Sequence, residues 1–251
     1  MRVWLYSAAL SLVSLVGCGG GGDGGSGSGS DSGNSGARVV KNGVYTSDVD
    51  NTVMLIDAER KDWPAVLYDN ANKELYLVEK GTASADRYIG EGLYYTNQTG
   101  QLKYDATKKM EARFNNNQVT VAGTNISGQI LTFFMSKNQA PFTVSYMYGK
   151  SINISESGNT KSWDFEEDGQ FTITDSNNCI FNGQLTDNGY YSSATNVVVS
   201  NCNDPDYDAN NYKVIIFPFT RGNSPFYFYL ALRENPDGSL FFVRSYYFPK
   251  V

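Results

Sequence analysis

The chain has 251 residues, with 20 basic and 26 acidic side chains, a net charge of −6 and no histidine. The missing imidazole excludes Ser-His-Asp and Cys-His catalysis, HExxH zinc chemistry and histidine-held haem. An enzyme would be left with carboxylates, Lys, Tyr or Ser, as in glycoside hydrolysis. The acidic balance argues against a nucleic-acid partner, which calls for a basic face, and against adhesion to anionic headgroups by charge.

Residues 1–17 have the layout of a secretion signal. Arg2 is their one charge, and the apolar run from Trp4 to Val16 is shorter than the ~20 residues a membrane-spanning helix needs. A cleaved targeting segment is therefore expected, and no later stretch is long and apolar enough to span a bilayer. The run ends in Leu15-Val16-Gly17-Cys18, which resembles the lipobox of bacterial lipoproteins: a branched residue, a small pair and a cysteine. The resemblance implies that Cys18 is acylated on sulfur, cleaved to become the new N-terminus and acylated again on its amine with palmitate-class chains. Each buried lipid CH₂ contributes about 0.8 kcal/mol, and stable anchoring takes more than one chain. Gly19, not aspartate, follows the cysteine. By analogy with sorting in well-studied Gram-negative bacteria, this points to the outer membrane.

Ten of the 19 residues from 19 to 37 are glycine and five are serine. Such a linker is expected to behave as a flexible coil spanning roughly 25 Å. It lacks GxxxxGK[ST] and a preceding strand, so it is no phosphate loop.

The remaining residues divide into short runs separated by turn signals. AVLYD and ELYLVEK flank Asp69-Asn70-Ala71-Asn72; KMEARF and QVTVAG flank Asn115-Asn116-Asn117. SWDFE and QFTITD flank Asp168-Gly169, PFYFYLALR and SLFFVRSYYF flank Asp237-Gly238, and Asn188-Gly189 marks a further turn. Asp-Gly and Asn-Gly favour tight hairpins. In the third pair Phe171 and Ile173 share one face, Thr172 and Thr174 the other. In the fourth, Phe226, Phe228, Leu230 and Leu232 oppose Tyr227, Tyr229, Ala231 and Arg233. Residues 105–113 read equally as a short helix or a strand. Sequential hairpins predict an all-β antiparallel meander that closes or stacks to hide its edges. A break near Tyr148-Gly149-Lys150-Ser151, with about eight strands before it and six to eight after, divides the body into an N-terminal β lobe (38–149) and a C-terminal β lobe (150–251). The expectation is two tandem small β-barrels or sandwiches, with one larger barrel or sandwich as the alternative. A weak internal repeat links the openings of the two halves.

With Cys18 assigned to lipid, Cys179 and Cys202 form an even pair, and a disulfide is the default in an oxidising envelope. It would close a loop from 179 to 202, for roughly 3–3.5 kcal/mol of chain entropy. A free thiol or a two-cysteine metal site is the alternative. The second half also carries Asp168-Gly169-Gln170-Phe171, Cys179-Ile180-Phe181-Asn182-Gly183, Asn196-Val197-Val198-Val199, Cys202 and Tyr212. In these it resembles a group of Gram-negative lipoproteins with a glycine-rich tether and a paired-lobe β body. The likeness covers the tether and roughly residues 160–215. It departs at Lys213, where the group usually has glycine. It implies location and fold and supplies no activity.

Three clusters are candidate sites. Asp204, Asp206 and Asp208 have the spacing of a calcium-loop start, but Ala209 and Ile215 stand where an EF-hand needs Gly and Glu. A looser calcium site competes with a solvated acidic turn. Asp164, Glu166, Glu167 and Asp168 offer paired carboxylates, yet lead into a hairpin turn. The aromatic stock comprises Trp63, Tyr94, Tyr95, Tyr146, Tyr148, Trp163, Tyr190, Tyr191, Tyr227, Tyr229, Tyr246 and Tyr247. Some of it is expected to fill a β core. The adjacent pairs 94–95, 190–191 and 246–247 place one member of each outside any single core, where it could meet a partner. The combined expectation is a lipid-anchored outer-membrane protein with a non-catalytic role, no cofactor and an envelope protein as partner through Tyr/Asn-rich loops. The alternatives are a lipocalin-like barrel for a small apolar ligand or glycan and, third, a carboxylate-based hydrolase.

Overall fold

The strands before Tyr148 close on themselves. In a computed structural model that describes residues 42–49, 51–96, 101–156 and 159–250, β1 (Gly43–Ser47), β2 (Thr52–Ile56), β3 (Ala65–Asp69), β4 (Glu74–Ser84), β5 (Arg87–Thr96), β6 (Leu102–Asn115), β7 (Gln118–Thr124) and β8 (Ile130–Lys137) are successive antiparallel neighbours. β1 meets β8 to complete a barrel. The leader, Cys18 and the glycine-rich linker lie outside the described residues.

After Lys137 the chain runs through a short 3-10 turn, Val144–Met147, into a second antiparallel sheet. Its strands are β9 (Lys150–Glu156), β10 (Asn159–Phe165), β11 (Gln170–Thr174), β12 (Ile180–Gln184), β13 (Thr186–Asp187), β14 (Ser192–Ser200), β15 (Ala209–Arg221), β16 (Ser224–Glu234) and β17 (Leu240–Pro249). They pair in the order β17-β16-β15-β14-β12-β11-β10-β9, with β13 beside β14. The body is thus all-β, a closed barrel followed by a large sheet. The stretch 105–113 belongs to the 14-residue strand β6, not to a helix.

The turn chemistry explains the hairpins. Asp69 accepts the backbone N–H groups of Ala71 (2.9 Å) and Asn72 (3.2 Å), the local bonding that makes aspartate a turn former. Gly169 takes φ +85°, a conformation glycine adopts without the steric cost of a Cβ.

Three cores hold the body. Tyr45, Met54, Leu67, Tyr76, Tyr88, Phe133 and Met135 fill the barrel. Trp163, Phe171, Ile173, Phe181, Tyr212, Tyr227, Tyr229 and Phe248 form a second core within the second sheet. The third core forms where the outer wall of β1–β5 meets β15 and β16: Val44, Val53, Leu55, Trp63, Val66, Leu77 and Tyr94 pack with Tyr191, Ile215, Phe217, Phe228, Leu230 and Leu232. Burial on both faces is why TVMLI and KVIIFPF are nearly continuous apolar runs. Each such side chain contributes about 1.5–3 kcal/mol when buried.

This third core also accounts for two of the tyrosine pairs. Tyr95 packs against the barrel interior while Tyr94 turns to the lobe junction. Tyr191 is buried in that junction, with Tyr190 half-buried beside it. Tyr94, expected outside the barrel core, lies against the other lobe, whereas Tyr190 and Tyr191 share the junction core. The side chains of Tyr246 and Tyr247 lie outside those described.

Cys179 and Cys202 form a disulfide. It flanks the Ile180↔Ser200 pair and so staples the start of β12 to the end of its direct neighbour β14. Beside it the buried Asp175 accepts the N–H groups of Asn177 (2.7 Å) and Cys179 (3.1 Å) and pairs with Arg244.

Candidate interaction surface

The barrel's own side chains occupy its interior. A Cβ built on Gly81 would lie 2.1 Å from the Tyr88 hydroxyl oxygen, and one on Gly90 would lie 2.7 Å from a Val78 methyl. The strands therefore need glycine at both points for the large neighbours to fit. The space left among Leu67, Tyr76, Leu93, Met110, Val121 and Phe133 is about 20 Å³, room for roughly one water. Burial raises the Tyr45 and Tyr88 hydroxyls well above the usual tyrosine range, with the Arg60 charge opposing at Tyr88. The second lobe's core is filled by aromatics, with Trp163 4.8 Å from Tyr229 and 4.4 Å from Phe248 between ring centres.

The acidic loop uses its carboxylates locally. Asp204 accepts the Asp206 N–H (3.1 Å) and caps the short 3-10 turn Pro205–Tyr207, while Asp208 accepts the Cys202 N–H (3.1 Å). The Asp206 carbonyl accepts from Arg233 at 2.6 Å. Among the described residues no group of three or more His, Cys, Asp or Glu side chains is gathered for a metal. Glu166, Glu167 and Asp168 lie exposed at the hairpin tip, where Asp168 accepts the Gln170 N–H (2.9 Å). Asp164 sits half-buried on β10.

Among the aromatics singled out from sequence whose side chains are described, only Tyr146 is well exposed, at 46%. Its ring lies under two ammonium groups, Lys150 Nζ at 3.4 Å and Lys250 Nζ at 3.7 Å from the centroid.

Polar ties surround the lobe junction. Lys213 Nζ reaches Asp62 (2.8 Å) and Glu234 (2.9 Å), and the Trp63 indole N–H also donates to Glu234 (2.9 Å). Burial opposes the Lys213 charge, but the hydrogen bonds to Asp62 and Glu234 prevail and hold its pKa above the usual lysine value. The Tyr191 hydroxyl donates to Asp57 (2.8 Å), while Arg60 binds the carbonyls of Asp62 and Trp63, each at 2.5 Å. Asn138 donates to Thr46 Oγ1 (3.3 Å) and Thr220 Oγ1 (3.0 Å). Near it a cleft of about 200 Å³ opens between Lys137, Phe142, Tyr190 and Pro218.

The most exposed large apolar side chains on a regular strand lie on β8, where Ile130 is 79% and Phe134 70% exposed. β1 pairs with β8 only at Tyr45↔Lys137 and Thr46↔Ser136, although β7 accompanies β8 along its full length. Residues Ile130–Met135 thus present one edge with no ladder partner among the described residues. Sequence reading missed this feature because ILTFFM is apolar on both faces, a pattern that signals a strand covered on both sides. Inside, Phe133 and Met135 follow that rule; outside, Ile130 and Phe134 do not. No family model, curated protein or solved structure matches the chain.

Proposed function

We propose that the chain is a cell-envelope lipoprotein, anchored to the outer membrane through Cys18, whose β body has a non-catalytic role in protein–protein contact. The anchoring rests on Leu15-Val16-Gly17-Cys18 and the glycine-rich segment behind it. The binding role rests chiefly on the exposed apolar row of Ile130 and Phe134 along an unpaired strand edge. Such a row costs solubility when left bare and marks interaction sites in soluble bodies. The contact surface is accordingly placed on β8 and not on tyrosine-rich loops, since most of those tyrosines pack inward.

The alternative, a small apolar ligand or glycan, has little support from the barrel, where the pocket among Leu67, Tyr76 and Phe133 holds about 20 Å³. The junction cleft beside Phe142 and Tyr190 is the better place for it. Crosslinked capture from cells bearing the full chain separates the readings. Protein partners recovered with the native sequence, reduced several-fold by Cys18→Ser and by Phe134→Ser, support the proposal. The same partners at equal yield from both variants contradict it.

A further inference from the structure

The two ends of the second sheet's strand order, β9 and β17, are its open edges. Both carry a residue of the kind that usually blocks edge pairing: Lys150 on β9 and Pro249 on β17. The free part of β8 carries none. Its six residues, Ile130-Leu131-Thr132-Phe133-Phe134-Met135, have no charge and no proline, and six residues is an ordinary strand length.

We infer that this edge pairs with the same edge of a second copy, antiparallel and two-fold symmetric about Thr132, so that one continuous sheet crosses the dimer. The occupant follows from the sequence of the edge. A two-fold contact requires that if residue i meets j, then j meets i. Centred on Thr132, the pairing sets Ile130 against Phe134 of the second copy, Thr132 against Thr132, and Phe134 against Ile130. Residues directly opposite on antiparallel strands point to the same face, so the two exposed apolar side chains of each copy cover those of the other. The inward Leu131 and Phe133 also come opposite one another.

Charge matches in the same way. The outward positions of β7 and β8 are Gln118, Thr120, Ala122 and Thr124, then Ile130, Thr132, Phe134 and Ser136, with no ionised group among them. Two acidic chains, each of net charge −6 over its full sequence, therefore meet through a neutral strip and bring no like charges together along it. A charged partner strand would have to desolvate its charges against Ile130 and Phe134, which is costly. The pairing also fits the available length. Thr46 of β1 occupies the position beside Ser136, which leaves room for the five-residue overlap from 130 to 134. A contact of this size is weak in dilute solution. Anchoring at Cys18, on which the proposed function rests, would place copies on one membrane and raise their effective concentration.

Cysteine crosslinking in cells that make the full chain tests the pairing. Opposed Cα atoms in an antiparallel pair lie about 4.5–5.5 Å apart, within disulfide reach. Thr132→Cys is expected to give a disulfide-linked homodimer under mild oxidation, at least ~10-fold above Val198→Cys, an exposed control position on the second lobe. Adding Phe134→Lys to Thr132→Cys should abolish the product while the melting temperature stays unchanged. A dimer yield at Thr132→Cys no higher than at Val198→Cys, or a crosslink to a protein of different mass, overturns the inference. Palmitate incorporation read on the same samples reports separately whether the anchoring holds.

Discussion

Trp63, in the loop between β2 and β3, donates its indole N–H to the Glu234 carboxylate on β16, 2.9 Å away and 171 residues further along the chain. The same carboxylate takes the ammonium of Lys213, which also holds Asp62 of that loop. One acid therefore ties the barrel to the second sheet beside a largely apolar junction. Lys213 thus serves the lobe contact.

Glu234→Ala should leave the buried Trp63 N–H without its acceptor and remove one of the two acids on Lys213. The expected loss is about 1–3 kcal/mol of unfolding free energy, read as a lower midpoint in urea at unchanged slope. A midpoint equivalent to the parent within ~0.5 kcal/mol would mean that the apolar junction alone fixes the lobes.

Gly81→Ala tests whether the barrel is filled as tightly as its geometry indicates. The new methyl would fall on the Tyr88 ring and hydroxyl, and over-packing of this kind costs typically about 1–3 kcal/mol. Ser84→Ala, at an exposed position on the same strand, should lie within ~0.5 kcal/mol of the parent. Equal melting temperatures for the two variants would show that the interior has slack, and with it room for a ligand.

Alkaline pH should weaken the fold. Burial, then donation to Asp57, pushes the Tyr191 hydroxyl up to about 12, with Arg60 opposing. Burial and the bond to Glu74 do the same for Tyr95, also up to about 12. An unfolded tyrosine ionises near ~10. Below that value both states keep the proton and the contribution to stability is complete. Between about 10 and 12 the unfolded chain releases protons that the folded one retains, so stability falls as pH rises. With no histidine in the chain, side-chain titration leaves stability nearly level from about pH 6 to 9. Denaturant midpoints measured across pH 6–12 check this, and a Tyr191→Phe variant should show a shallower alkaline fall.

Much of the architecture was legible in the residues. Asp69-Asn70-Ala71-Asn72, Asn115-Asn116-Asn117, Asp168-Gly169 and Asp237-Gly238 each carry their own turn chemistry, and the flanking runs became β3–β4, β6–β7, β10–β11 and β16–β17. The ambiguous 105–113 went to strand because β5 and β7 each pair with part of β6, a tertiary cause no local propensity records. The lobe junction was hidden for the same reason. Val66 and Leu77 read as strand residues in any case, and only the docking of β15 and β16 decides that their outward positions are buried. The free edge of β8 was illegible because continuous apolar character looks alike in a strand covered on both faces and in one left partly bare. Cys18 and its flanks were read from sequence alone, and no packing bears on them.

The most direct test of the account is intact mass spectrometry of the protein purified from cells that make the full chain. The prediction is a chain that starts at Cys18, with a lipid on the sulfur and an acyl group on the amine. A free thiol at Cys18, or a chain that retains residues 1–17, would contradict it.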